Sequence, residues 1–149
     1  MKTRAYVYFG VALFVFVLDQ ATKCIITNNL NLHQVIKALP FFNLVYYRNI
    51  GSAFGMFKSL GNLFFILVSA AAIAAVSVMI VMDGGNRIGL SLILGGAAGN
   101  LADRVVHGYV IDFLEVYVRD FYWPAFNVAD SALTIGILLL MIETVWPRA

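Results

Sequence analysis

Four long apolar runs, separated by stretches rich in Asn, Asp and aromatic residues, set the layout of the chain. The first runs from Ala5 to Leu18 and continues past Asp19 to about Ile26. The second, Gly61 to Met82, carries no charge and is the clearest of the four. The third covers about 88–106, with Gly108 as a helix stop, and the fourth about 128–146. Roughly twenty apolar residues suffice to cross a bilayer as a helix, so the pattern predicts four spans. Lys2 and Arg4 before an apolar run could also open a cleavable signal peptide. No small-x-small cleavage site follows; Asp19-Gln20-Ala21-Thr22-Lys23 does, which reads as the polar end of a first span.

Two segments between the runs are too polar to span and too aromatic to be freely solvated. In 27–60, Asn28, Asn29, Asn31 and His33 read as loop. Phe41-Phe42-Asn43-Leu44-Val45-Tyr46-Tyr47 is aromatic and β-branched and reads as strand. Asn49 to Gly55 reads as a turn. In 109–125, Tyr117, Tyr122 and Trp123 are residues of the membrane interface. Both segments are placed at the membrane surface, the first as a small sheet or cradle.

Composition agrees with the pattern. Of 149 residues 62% are hydrophobic and 12% charged, with mean hydropathy +0.87, which a soluble domain of this length does not tolerate. No linker or charge run divides the chain, so 1–149 reads as a single integral membrane domain. A net charge of +2 leaves no footprint for nucleic acid. The single cysteine, Cys24, excludes an internal disulfide and has no partner base in sequence.

Four spans place both termini on one side. Asp19 and Lys23 at the end of span 1, Asn49 and Gly51 after it, Asn100, Asp103 and Arg104 at the end of span 3, Asp112 beyond it, and Asn127 and Asp130 at the start of span 4 then all fall at the opposite face. The pattern therefore predicts one polar site. Charge bias does not orient it: Lys2, Arg4, Arg87 and Arg148 on the side of the termini balance Lys37, Arg48, Lys58 and Arg119 on the other.

The residue types suggest the chemistry. Asn100, Asp103 and Arg104 share a helix face, and Gly95, Gly96 and Gly99 permit close helix approach. Arg104 suits a carboxylate or carbonyl oxygens; Asp103 can equally be a structural ion-pair partner. Asp19 and Lys23 form an i, i+4 pair that pins span 1 or touches substrate. Asn127 and Asp130 fit an N-cap with an acid three residues on. Asp112 lies in Val110-Ile111-Asp112-Phe113-Leu114, with no cation adjacent in sequence. Burial raises a carboxyl pKa and a second carboxylate raises one of the pair further, so two aspartates sharing a proton can activate water and protonate an oxyanion or leaving amine. The serines lack a neighbouring base, His33 and His107 are isolated, and no spacing suggests zinc; a hard cation held by Asp112 and Asp130 is the weaker alternative to a proton-sharing pair. Glu115 reads as solvated.

The chain resembles the bacterial lipoprotein signal peptidase (signal peptidase II) family. The resemblance rests on four blocks in order: Leu18-Asp19-Gln20-Ala21-Thr22-Lys23; Asn49-Ile50-Gly51-Ser52-Ala53-Phe54; Gly95 to Phe113 with its Gly-Asn-Leu-Ala-Asp-Arg core; and Phe126-Asn127-Val128-Ala129-Asp130. It implies an all-α membrane protein of four transmembrane helices with a small extracytoplasmic β-cradle and an outer loop or short helix at the membrane surface. It implies an aspartyl endopeptidase without cofactor that removes the signal peptide of prolipoproteins just before a diacylglyceryl-modified Cys. Asp112 and Asp130 would be the catalytic dyad. Asp19, Lys23, Asn49, Gly51, Asn100, Arg104 and Asn127 would support the site or bind substrate and the cyclic peptide globomycin, and Asp103 would be structural. The enzyme would lie, as a monomer among membrane lipids, in the bacterial inner membrane, with cytoplasmic termini and a site facing the periplasm or exterior.

Two other readings compete. A small transporter or proton-relay protein would need polar groups through the membrane depth, and span 2 offers only small hydroxyls and an Asn at its start. In a structural subunit the charges would only orient helices.

Overall fold

The computed structural model describes residues 5–51, 60–82 and 85–146. The described elements are α1 (Ala5–Asn29), β1 (Val35–Leu39), β2 (Phe42–Asn49), α2 (Gly61–Val81), α3 (Arg87–Val106), β3 (Val110–Val118), β4 (Phe121–Tyr122) and α4 (Val128–Val145). Helix α1 outlasts its expected end at Ile26, and Asn28 and Asn29, read as loop, complete it. Thr27 Oγ1 and Asn29 Nδ2 donate to the carbonyls of Cys24 and Ile25, so side chains that would favour a loop are turned back onto the helix.

Helix α3 is the centre of the bundle. It packs against α1, α2 and α4, and ten of its residues are buried against one in α2. Glycine makes this possible. A Cβ on Gly95 would lie 2.5 Å from the Ala12 carbonyl oxygen of α1, and one on Gly96 would lie 2.5 Å from the Ala129 carbonyl oxygen of α4. Gly89 and Gly136 meet backbone to backbone in the same way. Small residues thus let three helices approach to backbone contact. The outward faces of α1, α2 and α4 are apolar and exposed, with Phe14, Leu63, Leu67, Leu138 and Met141 all more than half accessible. Contiguous apolar surface on this scale marks a membrane contact. Among the described residues, α1, α2 and α4 are long and apolar enough to cross a membrane. Helix α3 is of similar length, but its glycines and Arg87, Asp103 and Arg104 lower its hydropathy.

The four strands form one antiparallel sheet in the order β1-β2-β3-β4. The strand expected at 41–47 is present as β2. The segment 109–125, expected as an outer loop or short helix, is instead strand: Val110 to Val118 pairs with β2 and turns into β4. Its run of Val, Ile, Phe and Leu supplies the strand propensity, and β2 offers the free edge. Gly108 ends α3 as expected, at φ +81. Ile26, Tyr46, Ile111 and Phe113 form a core cluster that packs with Val128, fastening the sheet to the ends of α1 and α4.

Strand β2 carries a bulge. Asn43 faces Glu115 and Leu44 faces Leu114, but the next pair is Tyr47 with Asp112, so β2 holds one residue more than β3 over that interval. A one-residue excess reverses which side chains share a face. Asn49, which simple alternation would place with Asn43 and Glu115, comes to lie on the face of Asp112. Glu115, expected to be solvated, is 8% exposed and accepts a 2.8 Å hydrogen bond from Asn43 Nδ2. Its side of β3 turns inward with Phe113, which alternation along the strand explains.

Candidate active site

Two groups of acids lie side by side where the sheet meets the helix ends. The first is closed. Lys23, 2% exposed, donates to Asp19 at 2.7 Å, Asp103 at 2.9 Å and the Asn100 side-chain oxygen at 3.1 Å, so all three ammonium protons are met. Asp19 Oδ1 accepts the Ala129 N–H in the first turn of α4, at 2.9 Å. Asp103 Oδ2 accepts the Ile111 N–H of β3 at 3.0 Å. This cluster ties α1, α3, α4 and the sheet together.

Gln20 was missed as a candidate by sequence reasoning. Its side-chain amide donates to Asp103 Oδ1 at 3.0 Å and to Asp19 Oδ2 and the Gly99 carbonyl at 3.2 Å. Its place between Asp19 and Lys23 in one helix turn was the available signal. Gly99 has no room for a side chain because a Cβ there would collide with Asp19 Oδ2.

The second group borders an open cleft of about 860 Å³. Asn49, Gly51, Asn100, Arg104, Asp112 and Asp130 line it. Asp19, Lys23, Asp103 and Asn127 stand behind that wall. Asp112 Oδ2 accepts from Asn49 Nδ2 at 3.0 Å, and its Oδ1 from Asn127 Nδ2 at 2.9 Å. Asp130 Oδ1 accepts from Asn100 Nδ2 at 2.8 Å, and its Oδ2 from the Asn127 backbone N–H at 3.2 Å. Asn127 returns the second bond of a capping box by accepting the Asp130 N–H at 2.8 Å. One residue thus holds both aspartates.

Neither Asp112 nor Asp130 makes an ion pair among the described residues. Burial, and then the charge of Asp130, push Asp112 up to about 7, against its two amide donors and the more distant charge of Lys23. A carboxyl balanced near neutral pH can give or take a proton.

Arg104 closes one side of the cleft. Its Nη2 donates to the Gly51 carbonyl at 2.9 Å and its guanidinium lies 4.5 Å from the centre of the Phe65 ring. Nη1 is buried and has no hydrogen-bond partner among the described residues, on a side chain that lines the cleft. Asn62 was also missed by sequence reasoning; it donates to the Arg104 carbonyl at 2.9 Å and ties α2 to this corner. Of the turn expected at 49–55, Asn49 to Gly51 is seen, with Asn49 Oδ1 accepting the Gly51 N–H; positions 52–55 lie outside the described residues.

Comparison with known proteins gives the family of the chain. Residues 11–146 match the family model described as signal peptidase (SPase) II. The lipoprotein signal peptidase of Thermodesulfovibrio yellowstonii is 44% identical over 135 residues, covering 90% of this chain and 92% of that protein. The lipoprotein signal peptidase of Alteromonas mediterranea is 40% identical over 145 residues, covering 91% and 79%. A solved structure described as a bacterial membrane enzyme superposes with a TM-score of 0.86 at 33% identity, over 93% of this chain and 87% of that one. A second with the same description gives 0.83 at 33% identity, over 95% and 94%. With the match running through nearly every described element, the chain belongs to the signal peptidase II family.

Proposed function

We propose that Asp112 and Asp130 are the catalytic dyad with which this membrane aspartic endopeptidase cleaves the signal peptide of prolipoproteins, just before the diacylglyceryl-modified Cys. The observation that carries this reading is the pairing itself. Two carboxyl groups line one cleft, share Asn127 as a donor and make no ion pair among the described residues. The activity is that of the family; the geometry supports the roles.

One carboxylate takes a proton from water as the water oxygen bonds to the scissile carbonyl carbon. The other, protonated, gives its proton to the carbonyl oxygen. The resulting gem-diol collapses as the C–N bond breaks. The first aspartate returns its proton to the leaving amine, the second recovers one from a hydroxyl, and a carboxylic acid and an amine leave an unchanged enzyme. Asn49, Asn100 and Asn127 hold the pair, Arg104 and Gly51 frame the substrate backbone, and Asp19, Lys23 and Asp103 brace the frame.

The same reading takes 1–149 as one domain and α3 as a fourth span, sheltered by the three apolar helices. Both termini are then cytoplasmic and the cleft faces the periplasm or exterior of a bacterial inner-membrane protein. A substrate carrying acyl chains enters sideways from the lipid, and the cradle limits bulk water at the scissile bond. A globomycin-type cyclic peptide would occupy the same cleft, and a monomer contains every group required.

Cleavage of a diacylglyceryl-modified precursor by purified protein tests the dyad. Asp112→Asn and Asp130→Asn should each lose activity by at least about a thousandfold, while membrane insertion and thermal unfolding stay close to wild type. Substantial turnover by either variant removes the dyad.

A further inference from the structure

The two aspartates receive equal numbers of donors but not equal donors. Asp112 is held by two neutral side-chain amides, from Asn49 and Asn127. Asp130, in the first turn of α4, is held by the backbone N–H of the N-cap residue Asn127 and by Asn100. The positive end of a helix favours the anion. Asn100 is itself polarised, since its oxygen accepts from the Lys23 ammonium at 3.1 Å while its nitrogen donates to Asp130 at 2.8 Å.

An amide can present either end, and Lys23 decides which. The ammonium is donor-only, so Asn100 must turn its oxygen toward Lys23 and its NH2 group toward Asp130. Asn127 Nδ2 reaches that same oxygen at 3.2 Å and adds to the constraint. Resting on the dyad reading above, we propose that Lys23 is a positioning residue that acts through Asn100 to keep Asp130 as the carboxylate, which makes Asp130 the general base and leaves the shared proton on Asp112. Asp130 then takes the proton of the attacking water and passes it to the leaving amine. Asp112 protonates the carbonyl oxygen and recovers its proton on collapse.

Other charges around Asp130 do not supply this asymmetry. Helix α1 contributes Asp19, which is paired with Lys23. Helix α3 contributes Asp103, also paired with Lys23, and Arg104, bonded to the Gly51 carbonyl. Strand β3 contributes Asp112 itself, and β2 brings Tyr47 and Arg48 to the cleft wall, with Arg48 bonded to Tyr46. Lys23 is thus the cation that reaches Asp130 through a single intervening side chain, Asn100, among the described residues.

The test is the pH profile of kcat/KM for the purified full-length enzyme on a diacylglyceryl-modified precursor peptide. Lys23→Met should move the acid limb, which reports protonation of the base, upward by about one pH unit, and Lys23→Arg should restore most of the shift. Asn100→Ala leaves the ion pairs of Lys23 in place and should move the same limb the same way. It thereby keeps the test open where Lys23→Met does not fold. The double variant should shift no further than the larger single one. Profiles that superpose on wild type after scaling for active enzyme would overturn the relay. If Asp112→Asn and Asp130→Asn are inactive in that same assay, the dyad survives and only the assignment of base and acid fails.

Discussion

Four aspartates crowd the junction of sheet and bundle, and they divide into two pairs with opposite surroundings. Asp19 and Asp103 share the buried ammonium of Lys23 and accept backbone N–H groups of α4 and β3. Asp112 and Asp130 are met by asparagine amides and one backbone N–H, and they line the cleft. The first pair is ion-paired and enclosed, so it fixes geometry. The second is oriented without being neutralised, which keeps a proton labile. Asparagine is the suitable holder because it donates to a carboxylate without bringing a full charge.

This contrast can be broken from either side. The largest stability effect should come from the closed pair. Asp103→Asn strips Lys23 of one anion in a buried setting and should cost about 3 kcal/mol, read as a lower unfolding midpoint in detergent. The molecules that remain folded should keep a wild-type pH profile; a displaced profile would show that the two pairs are not separable. A smaller effect is expected where a methyl group is forced into the cluster. Gly99→Ala drives Cβ into Asp19 and should cost about 1–3 kcal/mol, again in stability with unshifted pH limbs. The smallest concerns the open pair. Asn49→Ala removes a donor that favours the charged form of Asp112, so the acid form should persist to higher pH. The alkaline limb of the rate profile should rise by a fraction of a unit from its position near 7, with stability changed by about 1 kcal/mol. A limb that moved down instead would reverse the role given to Asn49.

Much of this site is legible in the chain because its parts obey local rules. The i, i+4 spacing of Asp19 and Lys23, the cap signature of Asn127 and Asp130, and the shared face of Asn100, Asp103 and Arg104 follow from helix geometry alone. Span topology then predicts one common face. What sequence does not disclose is long-range pairing. The apolar strand 110–118 reads equally well as an interfacial loop until β2 supplies its partner, and Glu115 reads as solvated until alternation along that strand turns it toward Asn43. Lys23 is a similar case, since spacing pairs it with Asp19 but only the packing of α1 on α3 brings it to Asp103 and Asn100. Gln20 escapes for the same reason: its partners include Gly99 and Asp103 on another helix.

The extra residue in β2 between Leu44 and Tyr47 also bears on how this chain tolerates changes in length. The turn joining β1 to β2 lies on the far side of the bulge from Asn49, so insertions there leave the parity of 47–49 untouched and can accumulate freely. Deleting a single residue within the bulge would act like a frameshift in space. It would turn Asn49 to the opposite face of the sheet while altering no residue that lines the cleft. Length variation across descendants of this chain should therefore collect at the hairpin tip and stop short of position 45.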